Sequence, residues 1–127
     1  MRGPVVSVPK APTITQDQGV TVISLDADYE NLNEAGLEAL NGMLLKATAQ
    51  ADPPLIVLDL SHLRFFGSGF IEALFRAWNQ LNARPGGRLS LCGLTAYCRE
   101  VVGITHLDQL WRVFETREEA VRFVRQG

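Results

Sequence analysis

The chain has 127 residues, 46% hydrophobic and 20% charged, which fits one globular domain and argues against wholesale disorder. Its 12 Lys+Arg nearly cancel 14 Asp+Glu, leaving a net charge of -2. That balance gives no general attraction to nucleic acid or anionic lipid. Residues 1–11, with Gly3, Pro4 and Pro9, read as a flexible leader, and 12–127 as the domain. Met1 to Pro12 carries one early positive charge, Arg2, and no apolar core, so neither a signal peptide nor an anchor is expected. No stretch approaches the roughly 18 to 20 apolar residues of a membrane span. Two cysteines, Cys92 and Cys98, form no framework and favour a reducing, cytoplasmic setting.

From Thr13 to Leu25 the pattern is strand-like, with a turn at Gln16-Asp17-Gln18-Gly19. Residues on both faces of Val20 to Leu25 are apolar enough to be covered. Asp26 to Asn31 is a polar, acidic loop, and Asn31 or Asn33 can cap the helix that follows. That helix runs from about Asn33 to Ala49, with Leu37, Leu40, Met43, Leu44 and Ala47 on one face. Asp52-Pro53-Pro54 ends it.

Leu55 to Leu60 reads as a short buried parallel strand. A second helix, about Ser68 to Asn82, has Phe70, Ile71, Ala73, Leu74, Ala77, Trp78 and Leu81 on a broad apolar face. Pro85-Gly86-Gly87 terminates it. Arg88 to Cys92 is another strand, and Thr95 can cap a third helix ending near Gly103. Leu110 to Phe114 is a last strand, opened by Trp111. Thr116-Arg-Glu-Glu119 matches a capping box before a helix carrying Ala120, Val121 and Val124. The order β-β-α-β-α-β-α-β-α predicts a single α/β domain. Its sheet is mixed and mostly parallel, of about five strands, with four helices and an N-terminal β-hairpin.

Little catalytic equipment is visible. His62 and His106 are the two histidines, and a nucleophile elbow would need glycines two residues from Ser68, where Phe66 and Phe70 stand. Cys92, Cys98 and His106 have no familiar metal spacing, so no metal is expected. No phosphate-cradling Gly-x-x-x-x-Gly-Lys loop occurs, and no cofactor is implied.

One segment stands out. Gly67-Ser68-Gly69 joins a buried strand to an amphipathic helix. Two glycines leave little bulk beside the hydroxyl, and Ser68 is placed to be the helix N-cap. A helix N-terminus tolerates an added phosphate, because its free N–H groups and dipole favour negative charge. The plain alternative is a serine that caps a tight turn.

The layout from Val20 to Val124 resembles the STAS domain, in particular the bacterial anti-sigma factor antagonists. The carrying residues are Leu55-Ile-Val-Leu-Asp-Leu-Ser-His-Leu-Arg-Phe-Phe-Gly-Ser-Gly-Phe-Ile-Glu-Ala-Leu74. They parallel an apolar strand, an Asp-Leu-Ser-like turn and a Phe-Ile-Asp-Ser-Ser/Thr-Gly-Leu helix start. Ser68 falls on the family's phosphoacceptor serine. Gly67 replaces its usual Asp, Gly69 its second hydroxyl residue, and Phe70 its glycine.

The resemblance implies a STAS-like fold and a non-enzymatic role: binding an anti-sigma factor with a histidine-kinase-like ATPase fold. Phosphorylation of Ser68 by that partner would break the complex, and a phosphatase would reset it. The implied partner face holds Asp28, Glu30, Asn31, Gly67, Ser68, Gly69, Glu72 and Thr95. Asp28 and Glu30 both qualify as the family's loop acid. A non-phosphorylated docking module in a transport or signalling complex is the alternative.

Overall fold

The computed structural model describes residues 12–126; the leader read at residues 1–11 and the final Gly127 lie outside the described residues. The chain opens with a hairpin of β1 (Thr13–Asp17) and β2 (Val20–Ser24). The turn is tighter than the sequence suggested, with Gln16 and Asp17 inside β1. It consists of Gln18 and Gly19, with φ of 54° and 85°, and two left-handed residues match the twist of a two-residue hairpin. Then α1 (Glu34–Gln50), β3 (Leu55–Asp59), α2 (Ser68–Asn82), β4 (Arg88–Cys92), α3 (Ala96–Ile104), β5 (Arg112–Phe114) and α4 (Arg117–Arg125) follow.

The strands lie in sequence order, β1-β2-β3-β4-β5. The β1–β2 pair is antiparallel and the other three pairs are parallel. The expected fold class therefore stands. Three right-handed crossovers stepping the same way across a sheet put their helices on one face. Burial follows that rule. Leu40, Leu44, Phe70, Leu74, Leu81 and Val102 of α1 to α3 pack with Ile23, Ile56, Leu58 and Leu91. The chain returns after β5 to cover the other face, where Ala120, Val121 and Val124 of α4 meet Val20, Val22, Val57 and Cys92. Coverage on both sides explains why β2 and β3 read as continuous apolar runs.

Polar contacts fasten the layers. Gln80 of α2 donates to the Thr48 hydroxyl of α1 at 2.6 Å, and Arg84 donates to the Thr48 carbonyl at 2.9 Å. The buried Ser90 hydroxyl of β4 donates to the Ala120 carbonyl of α4 at 3.3 Å. The capping box at Thr116 and Glu119 is formed as expected.

The last strand differs from the expectation. Leu107–Gln109 makes a 3-10 turn, and the Trp111 N–H donates to the Leu107 carbonyl at 2.8 Å. That bond holds Trp111 in the turn, so β5 begins at Arg112. The indole is 1% exposed and packs on Phe75 of α2, with ring centroids 5.2 Å apart.

Candidate functional site

Parallel strands in register bring their carboxyl ends to one edge of the sheet, with Ser24, Asp59 and Cys92 side by side. The loops after β2, β3 and β4 therefore emerge together. The loops after β2 and β3, with the starts of α1 and α2, border an open depression of about 340 Å³ lined in part by Glu30, Asn31, Leu37, Gly67, Ser68 and Gly69.

Ser68 is exposed on this surface, but it is not the N-cap expected from the sequence. Gly67 holds that position in extended backbone (φ −102°, ψ −175°), and Ser68 is already the first helical residue. The Ile71 N–H donates to the Gly67 carbonyl at 3.2 Å. Among the described residues the Ser68 hydroxyl has no hydrogen-bond partner, so capping does not occupy it.

The two glycines have different reasons, and neither is a positive φ. A Cβ on Gly69 would stand 2.8 Å from Leu37 Cδ1, so the glycine lets α1 and α2 approach. A Cβ on Gly67 would meet nothing within 4 Å. Gly67→Asp is therefore expected to fold normally, gaining a few tenths of a kcal/mol from a new N-cap carboxylate. Urea unfolding checks this; a loss above about 1 kcal/mol would contradict it.

The acidic loop separates into distinct roles. The Asp26 carboxylate accepts the Asp28 N–H at 2.9 Å and caps the short turn Ala27–Tyr29. Asp28 and Asn31 are exposed. Tyr29 is buried; burial, with Asp26 and Asp28 nearby, pushes its phenol above the ordinary range. Glu30 does not stand on the surface as a ready partner-facing acid, because its side chain is 2% exposed. Its carboxylate takes the Arg64 guanidinium at 2.8 Å and also the Arg64 backbone N–H. The Arg64 side chain is 77% exposed. Its hydrogen bonds hold the Glu30 carboxyl below the usual range, against the opposing effect of burial.

Thr95 is expected at the partner face, and its hydroxyl is engaged on two sides. It donates to the Arg64 carbonyl at 3.1 Å and accepts the Cys98 N–H at 3.3 Å, capping α3. Glu72 is exposed on the second turn of α2, four residues after Ser68. Arg64 escaped the sequence reading. The available signal was faint: it is the only formally charged residue between Asp59 and Glu72.

A second polar group ties α4 to the same edge. Asp59 accepts Arg117 at 2.8 Å and the Ser61 hydroxyl at 2.7 Å, and Arg117 also donates to Ser24 at 3.2 Å. Burial alone would raise the Asp59 carboxyl, but these bonds hold it below the ordinary range. Glu30 and Asp59 thus contribute stability above about pH 4, and lose it as pH falls through their depressed folded values. Chemical unfolding across pH 2 to 7 should show stability level at the upper end and falling below about pH 4. Asp59→Asn should blunt that fall, and an unchanged acid limb would contradict the assignment.

His62 lines a different depression, with Pro12, Asp26 and Tyr29, and no hydrogen bond joins it to Ser68. Cys92 and Cys98 are free, buried thiols; burial pushes Cys92 up to about 12. Among the described residues no His, Cys, Asp and Glu cluster is arranged to hold a metal. No helix among them is long and apolar enough to cross a membrane.

The STAS domain family model matches residues 11–120. The chain belongs to the STAS domain family. An anti-sigma-factor antagonist (STAS) domain protein from Planctomyces limnophilus is 34% identical, with a TM-score of 0.81. The match covers 91% of this chain and 99% of that one. The Bacillus cell fate determinant SpoIIAA in its phosphorylated form is 23% identical with a TM-score of 0.65, covering 90% of this chain and 99% of that one. A sulfate transporter family protein from Wolinella succinogenes shares the fold at 15% identity and a TM-score of 0.69, covering 88% and 89%. No curated protein sequence matches. STAS domains are regulatory and interaction modules.

Proposed function

We propose that this STAS domain is a cytoplasmic anti-sigma factor antagonist, not an enzyme. It binds an anti-sigma factor kinase of the histidine-kinase-like ATPase type through the Ser68 surface, and phosphorylation of Ser68 releases it. The observation that carries the reading is the exposed, unpartnered Ser68 hydroxyl in the first turn of α2, on a depression shared with Asn31, Gly67 and Gly69. A phosphate there adds about -1.5 to -2 charge, which the helix N-terminus tolerates. An interface that must desolvate that charge does not tolerate it. Asp28 is an exposed acid of the same loop, beside the buried Glu30. Glu72, one helical turn beyond Ser68, extends the same face.

Gly67 supports a second reading, a docking module in a transport or signalling assembly that is never phosphorylated. It leaves no carboxylate at the residue before Ser68. Peptide mapping of the protein isolated from its own cells separates the two. Substantial phosphate on Ser68 rules out the docking module, and its absence under every growth condition rules out the switch.

A further inference from the structure

Glu30 and Arg64 form more than an isolated ion pair. A carboxylate with 2% side-chain exposure needs charged or polar partners, and Arg64 supplies them from both backbone and side chain. The Arg64 carbonyl faces the other way and accepts from Thr95. Thr95 in turn takes the Cys98 N–H, and the Cys98 thiol lies 3.7 Å from the Leu63 carbonyl. Arg64 is thus the meeting point of the loops after β2, β3 and β4. The next residues along the chain, Phe65 to Gly67, lead straight to Ser68. The hydrogen bonds that join these loops are charged between Glu30 and Arg64 and neutral between Arg64 and Thr95.

We propose that Glu30 and Arg64 are positioning residues: their pair locks the three loops into one recognition face and fixes where Ser68 is presented. The functional meaning rests on the Ser68 surface being the docking face; the lock itself is a property of the free protein. Loss of either partner is asymmetric. Glu30→Gln keeps the shape and one acceptor but removes the charge, whereas Arg64→Ala leaves a buried carboxylate without its cation. The Glu30 side chain is only 2% exposed, so its carboxylate offers a partner little direct contact to lose when it is neutralised.

Two amides report on the lock: Arg64 N–H, held by Glu30, and Cys98 N–H, held by Thr95. Ala120 N–H, bonded to the Thr116 carbonyl on the opposite face, is the control remote from the lock. Hydrogen exchange by NMR is measured on the full free chain as wild type, Glu30→Gln, Arg64→Ala and Arg64→Lys. Glu30→Gln should speed exchange at Arg64 about tenfold and at Cys98 severalfold, leaving Ala120 unchanged. Arg64→Lys should recover part of the Cys98 protection lost in Arg64→Ala. Unchanged Arg64 exchange overturns the proposal, as does faster Arg64 exchange with Cys98 unaffected. A uniform rise that includes Ala120 in every variant also overturns it, since the pair is then only a contributor to overall stability.

The same variants are then titrated against the purified anti-sigma factor kinase. Glu30→Gln should weaken binding about fivefold, the cost of ordering a loosened face. Wild type failing to bind any such kinase would sink the docking reading while the exchange result still decides the lock. Glu30→Gln binding as tightly as wild type, with the lock open, would overturn the positioning role.

Discussion

Ser68→Asp should weaken binding to the anti-sigma factor kinase by about a hundredfold, roughly 3 kcal/mol, while Ser68→Ala stays within about threefold of wild type. The difference follows from what each side chain must give up. The alanine loses a hydroxyl that has no partner within the described fold, so the free protein is scarcely altered. The aspartate carries a charge that the free protein solvates easily at the exposed helix start. On docking it must lose that water against a protein surface. Both variants should retain wild-type urea midpoints, which separates lost docking from lost folding. Calorimetry or interferometry with the purified kinase gives the affinities. Equal binding by all three proteins would remove Ser68 from the interface.

Trp111→Ala should cost about 3 to 5 kcal/mol, the usual range for emptying a large buried aromatic site. That is a large share of the roughly 5 to 15 kcal/mol that holds a domain together. The indole is 1% exposed and packs on Phe75 of α2 just before β5 starts. It joins the last strand to the helix that begins at Ser68, so its loss should loosen α2 as well. Trp111→Phe should be much milder, about 1 to 2 kcal/mol. The Trp111 Nε1–H is buried with no hydrogen-bond partner among the described residues, so phenylalanine removes an unsatisfied donor along with some packing. Urea unfolding of the three proteins tests this order. A Trp111→Ala cost below about 1 kcal/mol would contradict the core assignment.

Much of the fold was readable because periodicity and punctuation agreed. The apolar run at Leu55 to Leu60, the 3.6-residue repeat through α2 and the Thr116 capping box each proved to be what their pattern implied. Boundaries failed where short-range hydrogen bonding outweighed composition. Trp111 looks like a strand residue, yet its N–H belongs to the turn at Leu107. Ser68 looks like an N-cap by residue type, but the extended Gly67 takes that position.

The site was legible as a loop and a serine, and less so as a surface. Spacing could not separate Asp28 from Glu30, because the two differ only in which way a non-repetitive loop turns them. The structure gives Glu30 to Arg64 and leaves Asp28 exposed. Arg64 itself lies 34 residues from Glu30, and no local pattern predicts a contact of that range. The glycines were expected for backbone freedom, whereas Gly69 serves helix packing and Gly67 stands in open space.

The central claim is that one phosphate on Ser68 controls one protein complex. Its most direct test is a single reaction: the wild-type chain is bound to the purified anti-sigma factor kinase, Mg-ATP is added, and both phosphate and complex are followed over time. The expected result is phosphate on the Ser68 peptide alone, appearing in step with dissociation, with the Ser68→Ala complex persisting throughout. A wild-type complex that survives full phosphorylation of Ser68, or one that dissociates with Ser68 unmodified, would contradict it.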